Sequence, residues 1–465
     1  MPKPMKSPPA KPNNTVHAVF EDEVEALIAL LDKTEADWLT LKGFAGKAGA
    51  LQILPSQGGV KAWFGLGSRK SYTPLSFRSL PGQLPKGRWV LETDEGLDRH
   101  AIHVAWRLGA YSFTRYRSAA KVCEAVLEPT DLMPDELAAI ELEARCHALA
   151  RDLVNTPAND MGPQHLEVEA RRIATEHSAD IHVSVGDDLL TENYPAIHAV
   201  GRAAATDHQP RFIEISWSPD PEDSDLPVVV LIGKGVTFDT GGLNIKGGTS
   251  MGLMKKDMGG AAHVLALANW VMASRLNIKL HVLIPAVENS ISGSAFRPGD
   301  VIASRAGLSI EIGNTDAEGR LILADALTRA GELSPALTLD FATLTGAARV
   351  ALGPEVIPFY TDDEDVARHL EVAAIAHHDP IWRMPLWNGY KDALDSDIAD
   401  IRNDPAGWAQ AGSVTAALFL QRFAPSTGAW VHFDIYAWNP RGRSGWPTGA
   451  EAQTLRAVYQ VLKAF

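Results

Sequence analysis

At 465 residues the chain is too long for one ordinary core, so two domains are expected. Apolar residues make up 46% and charged residues 22%, the balance of a globular protein rather than a disordered or membrane-spanning one. A formal net charge of −14 argues against nucleic-acid binding, which needs a basic surface, and the two cysteines are too few for a disulfide framework or a thiolate zinc site.

Residues 1–14 are rich in Pro and Lys and lack an apolar signal core, so a disordered tail is expected rather than a signal peptide. An N-terminal α/β domain is expected over residues 15–133. Its short strands fall at 60–66, 88–92 and 121–127, and a helix at 97–113. Pro134 opens a long helical pattern, 134–154, which ends at the Asn155-Thr156-Pro157 turn and carries the domain junction. A larger C-terminal domain is then expected over residues 155–465. Continuous apolar strand patterns at 228–232, 279–285, 337–341 and 430–435 alternate with helical ones at 259–272 and 321–330. Strands without polar alternation are covered on both faces, so the fold class is α/β with a central mixed sheet between helices. The longest apolar helical run, 261–273, is interrupted by His263 and Asn269 and is far too short for a bilayer, so a soluble, cytoplasmic protein is expected.

Three polar clusters stand at or near strand ends, where open α/β sheets form their sites. They are GKGVTFDTGG at 233–242 followed by Lys246, KDMGG at 256–260, and NTDAEGR at 314–320. If Asp316 and Glu318 are extended, their spacing sends both carboxylates to one side. Close carboxylates repel unless a cation separates them. With Asp239 and Asp257 they make four carboxylates in three segments, an oxygen-rich set suited to Mg²⁺, Mn²⁺ or Zn²⁺. Taken singly, each of these residues reads as a cap, a surface charge or a tight backbone corner.

Read together, GKGVTFDTGG, NIKGG, KKDMGGAAHVLA and NTDAEGRLILADAL resemble the leucyl aminopeptidase family of dinuclear metallopeptidases. The resemblance runs over residues 151–465 and includes NTPAN at 155–159, FATLTG at 341–346 and AGSVTA at 411–416. It implies two divalent metal ions per subunit (Zn²⁺ or Mn²⁺, with Mg²⁺ tolerated) held by Lys234, Asp239, Asp257, Asp316 and Glu318. Asp239 and Glu318 would bridge both ions, Asp316 would complete one site, and Lys234 and Asp257 the other. It further implies that a bridging water attacks the first peptide carbonyl, that Lys246 stabilises the oxyanion, and that Arg320 holds a bicarbonate acting as general base. Met254, Thr343 and Gly346 would border the pocket for the first side chain. Peptides with a free N-terminus are the implied substrates, and a homo-hexamer the implied assembly. Thr240 and Gly247 stand where relatives often carry Ser and Pro, which bears on loop shape and side-chain preference.

Two decoys need separate treatment. GTSMG at 248–252 fits a serine-hydrolase elbow around Ser250, but that device needs a strand running into the serine, and the preceding NIKGG is a poor strand. His377 and His378 have no defensible ligand spacing, and no HExxH occurs.

Overall fold

A computed structural model describes residues 14–56, 59–119, 122–130, 132–223, 225–405 and 407–465. The expected tail thus lies outside the described residues up to residue 13, while Asn14 already opens a strand; Lys121 of the expected strand 121–127 also lies outside them. Two compact units divide between Ala144 and Arg145, inside the helix Pro134–Asn155, and Arg441–Pro447 groups with the first unit.

The first unit is a five-stranded sheet in the order Leu51–Ser56, Gly59–Gly67, Asn14–Phe20, Gly87–Glu92, Ala125–Leu127. Only the first pair is antiparallel. Its core packs Val16, Phe64 and Trp89 from the strands against Ile102, Ala105 and Trp106 of the helix Arg99–Ala110. That helix starts where Asp98 accepts a hydrogen bond from the Ala101 N–H at 3.0 Å, satisfying a free amide of the first turn.

The second unit carries the mixed sheet. Its order is Ile381–Arg383, Ile357–Tyr360, Ala429–Asp434, Leu337–Ala342, Val228–Gly233, Lys279–Asn289, Arg211–Trp217, Asp180–Val185, with Gly235–Asp239 also pairing to Lys279–Asn289. The four central strands, Ala429–Asp434 to Lys279–Asn289, run parallel. Side chains alternate along Val228–Gly233. Val230 and Ile232 join the core formed with Leu321, Ile322 and Leu327 of the helix Glu318–Glu332. The opposite face, at Gly233, meets Ala261 and Val264 of the helix Gly259–Ala273, which is buried along almost its whole length. A helix wrapped on all sides explains why its sequence is apolar all round rather than striped. The α/β class and the sheet covered by helices are as the sequence implied.

Candidate metal centre

The central parallel strands deliver their C-terminal ends to one place. Val228–Gly233 ends at Lys234, Leu337–Ala342 at Thr343, and Ala429–Asp434 at Asp434 itself. Gly235–Asp239 ends directly opposite Asn289 on its neighbour, Asp239 facing Asn289 in register. The register shifts just before this pair, so the strand carries an irregularity beside the site, as bulges often do. Asp257 comes from the short 3₁₀ helix Met254–Met258, and Glu318 is the first residue of its helix, where the helix dipole favours a carboxylate. Asp316 sits in the turn before it. The extended arrangement expected for Asp316 and Glu318 is therefore not what brings them together; a turn running into a helix does so instead.

Lys234 is the pivot. It lies where the strand breaks, its N–H donating to the Phe341 carbonyl and its own carbonyl accepting from the Ala261 N–H, both at 2.9 Å. A Cβ on Gly260 would fall 2.0 Å from the Phe341 oxygen, and one on Gly319 2.6 Å from Lys234 Cε. These two glycines, one in each of two separate motifs, leave the space through which the lysine backbone and side chain pass.

The side chains form a buried mixed-charge cluster. Lys234 Nζ stands 2.9 Å from both Asp257 Oδ2 and Glu318 Oε1, and donates to the Thr343 carbonyl at 3.1 Å. Lys246 Nζ lies 2.8 Å from Asp239 Oδ2 and also pairs with Asp316. Asp239, Asp316 and Glu318 each offer an oxygen within 4.8 Å of the others. Asp257 Oδ2, Asp316 Oδ1 and Glu318 Oε1 face ammonium groups at ion-pair distance, yet none receives a well-directed hydrogen bond. Buried carboxylate oxygens with spare acceptor capacity fit divalent cations with oxygen-ligand chemistry.

Electrostatics follow from burial and crowding. Burial, then the neighbouring Asp257, pushes Asp239 up to about 6. Burial, then Asp239, pushes Glu318 up to about 8. Burial opposes the charge on Lys234, but Asp257, Glu318 and Asp239 outweigh it and hold the amine protonated well above its usual range. Burial also disfavours ionised Asp257, which Lys234 and Lys256 overcome, so its pKa is lowered. A bound dication would reverse this logic for both the carboxylates and the lysine.

Further residues brace the centre. Asn289 Nδ2 donates to Asp239 Oδ1 at 2.8 Å and to the Thr315 carbonyl at 3.1 Å. Thr343 Oγ1 donates to Asp257 Oδ1 at 2.8 Å, tying this expected pocket residue to a ligand candidate. Arg320 Nη1 donates to the Asn403 carbonyl at 2.7 Å, while its buried Nε has no partner, which leaves one donor of a buried guanidinium unused. Asn403 in turn holds the turn at Gly313 and Asn314 through its side chain. Asp434 accepts from the Leu344 and Thr345 N–H groups at 3.0 and 3.1 Å. Asn289, Asn403 and Asp434 escaped sequence reasoning; the available signal was their place at the ends of strands. Met254 is half-buried on the Asp257 turn, and Gly346 opens the helix Gly346–Leu352 with open space where a side chain would point. Ser250 lies exposed in the four-residue helix Gly248–Met251, not at a strand-to-helix elbow.

Comparison with known proteins shows the family. Residues 148–459 match the cytosol aminopeptidase family catalytic domain, and residues 15–129 the M17 aminopeptidase N-terminal domain. A probable cytosol aminopeptidase of Geobacter sp. (strain M21) is 36% identical over 446 residues, covering 90% of this chain and 89% of the relative. The crystal structure of the cytosol aminopeptidase from Coxiella burnetii superposes with a TM-score of 0.91 at 40% identity, covering 98% of both chains. The bottromycin maturation enzyme in complex with Mn superposes with a TM-score of 0.86 at 30% identity, covering 97% of this chain and 99% of the other. With both domains matched and the site assembled at the strand ends, the chain belongs to the cytosol aminopeptidase family of metal-dependent aminopeptidases.

Proposed function

We propose that the protein removes the N-terminal residue from peptides bearing a free α-amine, using two divalent cations held by Lys234, Asp239, Asp257, Asp316 and Glu318. The observation that carries this reading is the buried cluster itself, in which Asp257 Oδ2, Asp316 Oδ1 and Glu318 Oε1 lack hydrogen-bond donors of proper geometry. Asp239 and Glu318 would serve both cations, Asp316 one of them, and Lys234 with Asp257 the other. The cations, when bound, supply Lewis acidity and a water acidified for attack on the first peptide carbonyl. Zn²⁺ and Mn²⁺ both suit the donors, and the manganese complex of the similar maturation enzyme favours Mn²⁺ as a first choice.

The chain's own residues do the rest. Lys234 would hold a cation only with Nζ deprotonated, so metal loading should release protons. Lys246, a partly accessible cation at the edge of the cluster, would stabilise the oxyanion. Arg320, with its unpartnered Nε, would seat a bicarbonate in the role of proton acceptor. Thr343 would hold Asp257 in place from beside the first side-chain pocket, with Met254 and Gly346 as its other borders. A homo-hexamer in the cytoplasm completes the reading, and light scattering on the purified protein tests the assembly. The residue assignment is tested by Asp316→Ala and Lys246→Ala: both should abolish turnover, but only the first should also lower metal content. Equal metal loss in the two variants would contradict the division of roles.

A further inference from the structure

Within the catalytic unit, Lys256 has an unusual environment. It immediately precedes Asp257 on the short 3₁₀ helix and is only 6% exposed. Its ammonium stands 5.0 Å from the centroid of the Tyr436 ring. The guanidinium of Arg349, on the helix Gly346–Leu352, stands 5.4 Å from the same centroid. Neither side chain has a hydrogen-bond acceptor or an ion-pair partner among the described residues. The neighbouring cations are all engaged. Lys255 donates to the Asn155 carbonyl at 2.6 Å, Lys234 and Lys246 face carboxylates, and Arg320 donates to Asn403.

The nearby acids cannot serve Lys256 either. Asp257 directs its oxygens at Thr343 and Lys234, and Asp434 directs its own at Leu344 and Thr345. An ammonium carries three donors, and one aromatic face does not satisfy them. A buried cation without an acceptor is costly to keep, so its retention beside a reaction centre calls for a ligand. Lys256 lies two residues from Met254, and Arg349 three residues from Gly346, both expected borders of the first side-chain pocket. The unpaired charges therefore sit on the same two segments as that pocket.

We propose that Lys256, Arg349 and Tyr436 form a subsite for a carboxylate of the substrate, so that the enzyme favours peptides beginning with glutamate or aspartate. This rests on the aminopeptidase reading and names its substrate class. The same chemistry would also receive the C-terminal carboxylate of a very short peptide, and the experiment separates the two sources.

The test compares kcat/KM for glutamyl-, aspartyl-, leucyl- and lysyl-anilides, and for Leu-Leu against Leu-Leu-amide, using metal-loaded wild type, Lys256→Gln, Lys256→Glu and Arg349→Gln. Ratios between substrates divide out losses of folding or metal common to all of them. The glutamyl-to-leucyl ratio should fall about tenfold or more in Lys256→Gln, as expected for a lost charge-assisted hydrogen bond. It should also fall in Arg349→Gln, at an exposed position, and Lys256→Glu should shift preference toward lysyl-anilide. If the dipeptide-to-amide ratio falls instead, the carboxylate received is the C-terminal one. Both ratios staying within twofold of wild type in Lys256→Gln and Arg349→Gln would overturn the subsite. A wild-type enzyme that cleaves no free-amino substrate with any metal would refute the aminopeptidase reading itself.

Discussion

Asn289→Ala removes the clearest support of the site without touching a ligand candidate. Asn289 is 1% exposed and lies directly across the sheet from Asp239. Its Nδ2 bonds at 2.8 Å to Asp239 Oδ1 and at 3.1 Å to the Thr315 carbonyl. A hydrogen bond to a charged group contributes about 1.5–3 kcal/mol and a neutral one about 1 kcal/mol. Asp239 Oδ1 keeps the Gly241 N–H at 2.8 Å, which favours the lower end of that range. The expected stability loss is thus about 2–3 kcal/mol in urea unfolding of the metal-stripped protein. The larger effect should fall on metal. Groups that orient a ligand from behind typically account for about 10–100-fold in affinity, because a loosened carboxylate must be re-fixed on binding. Calorimetric titration of Mn²⁺ into metal-stripped wild type and variant reads this directly. An affinity within twofold of wild type, despite the stability loss, would refute the idea that Asn289 positions Asp239 for metal.

Three further outcomes are expected. Stability of the metal-stripped protein should fall as pH rises from about 4 to 8, followed by thermal unfolding. Asp239 and Glu318 have raised folded-state pKa values, about 6 and 8, so between unfolded and folded values the native state binds more protons, and raising pH removes that advantage. Asp325, pushed up to about 7 by burial away from the centre, adds a slope of the same sign whether or not metal is present. Metal should therefore flatten only part of the trend, and an equally steep decline with saturating Mn²⁺ would contradict the assignment. Thr343→Val should weaken metal binding about tenfold by depriving Asp257 Oδ1 of its donor, checked by the same titration. Ser250→Ala should keep full activity while chelation abolishes it, and the reverse pattern would restore a serine mechanism.

The catalytic motifs were legible because each packs its chemistry into a few neighbouring positions, and because both flanking glycines have a structural cause. Gly260 and Gly319 admit Lys234, so the signatures record the shape of the lysine channel as well as the ligand candidates. The doubly covered strands were legible for their unbroken apolar runs. The edge strands Asp180–Val185 and Leu51–Ser56 were not, since both are largely half-exposed and the second contains Pro55. Asn289 lies 50 residues from Asp239 and meets it only through strand register, which no local pattern encodes. The turn at Asp316 illustrates a different limit. Spacing suggested that the two carboxylates share a side, but the backbone achieves this through a helix start, with Asn403 bracing the turn from a distant segment.

The most direct measurement strips the protein of metal and re-supplies Mn²⁺, Zn²⁺ or Mg²⁺ one at a time. It then follows cleavage of leucyl- and glutamyl-anilides beside their N-acetylated counterparts. The account predicts that at least one metal restores cleavage of the free-amino substrates, and that the N-acetylated ones stay intact. Cleavage of the blocked substrates, or no recovery with any metal, would contradict it.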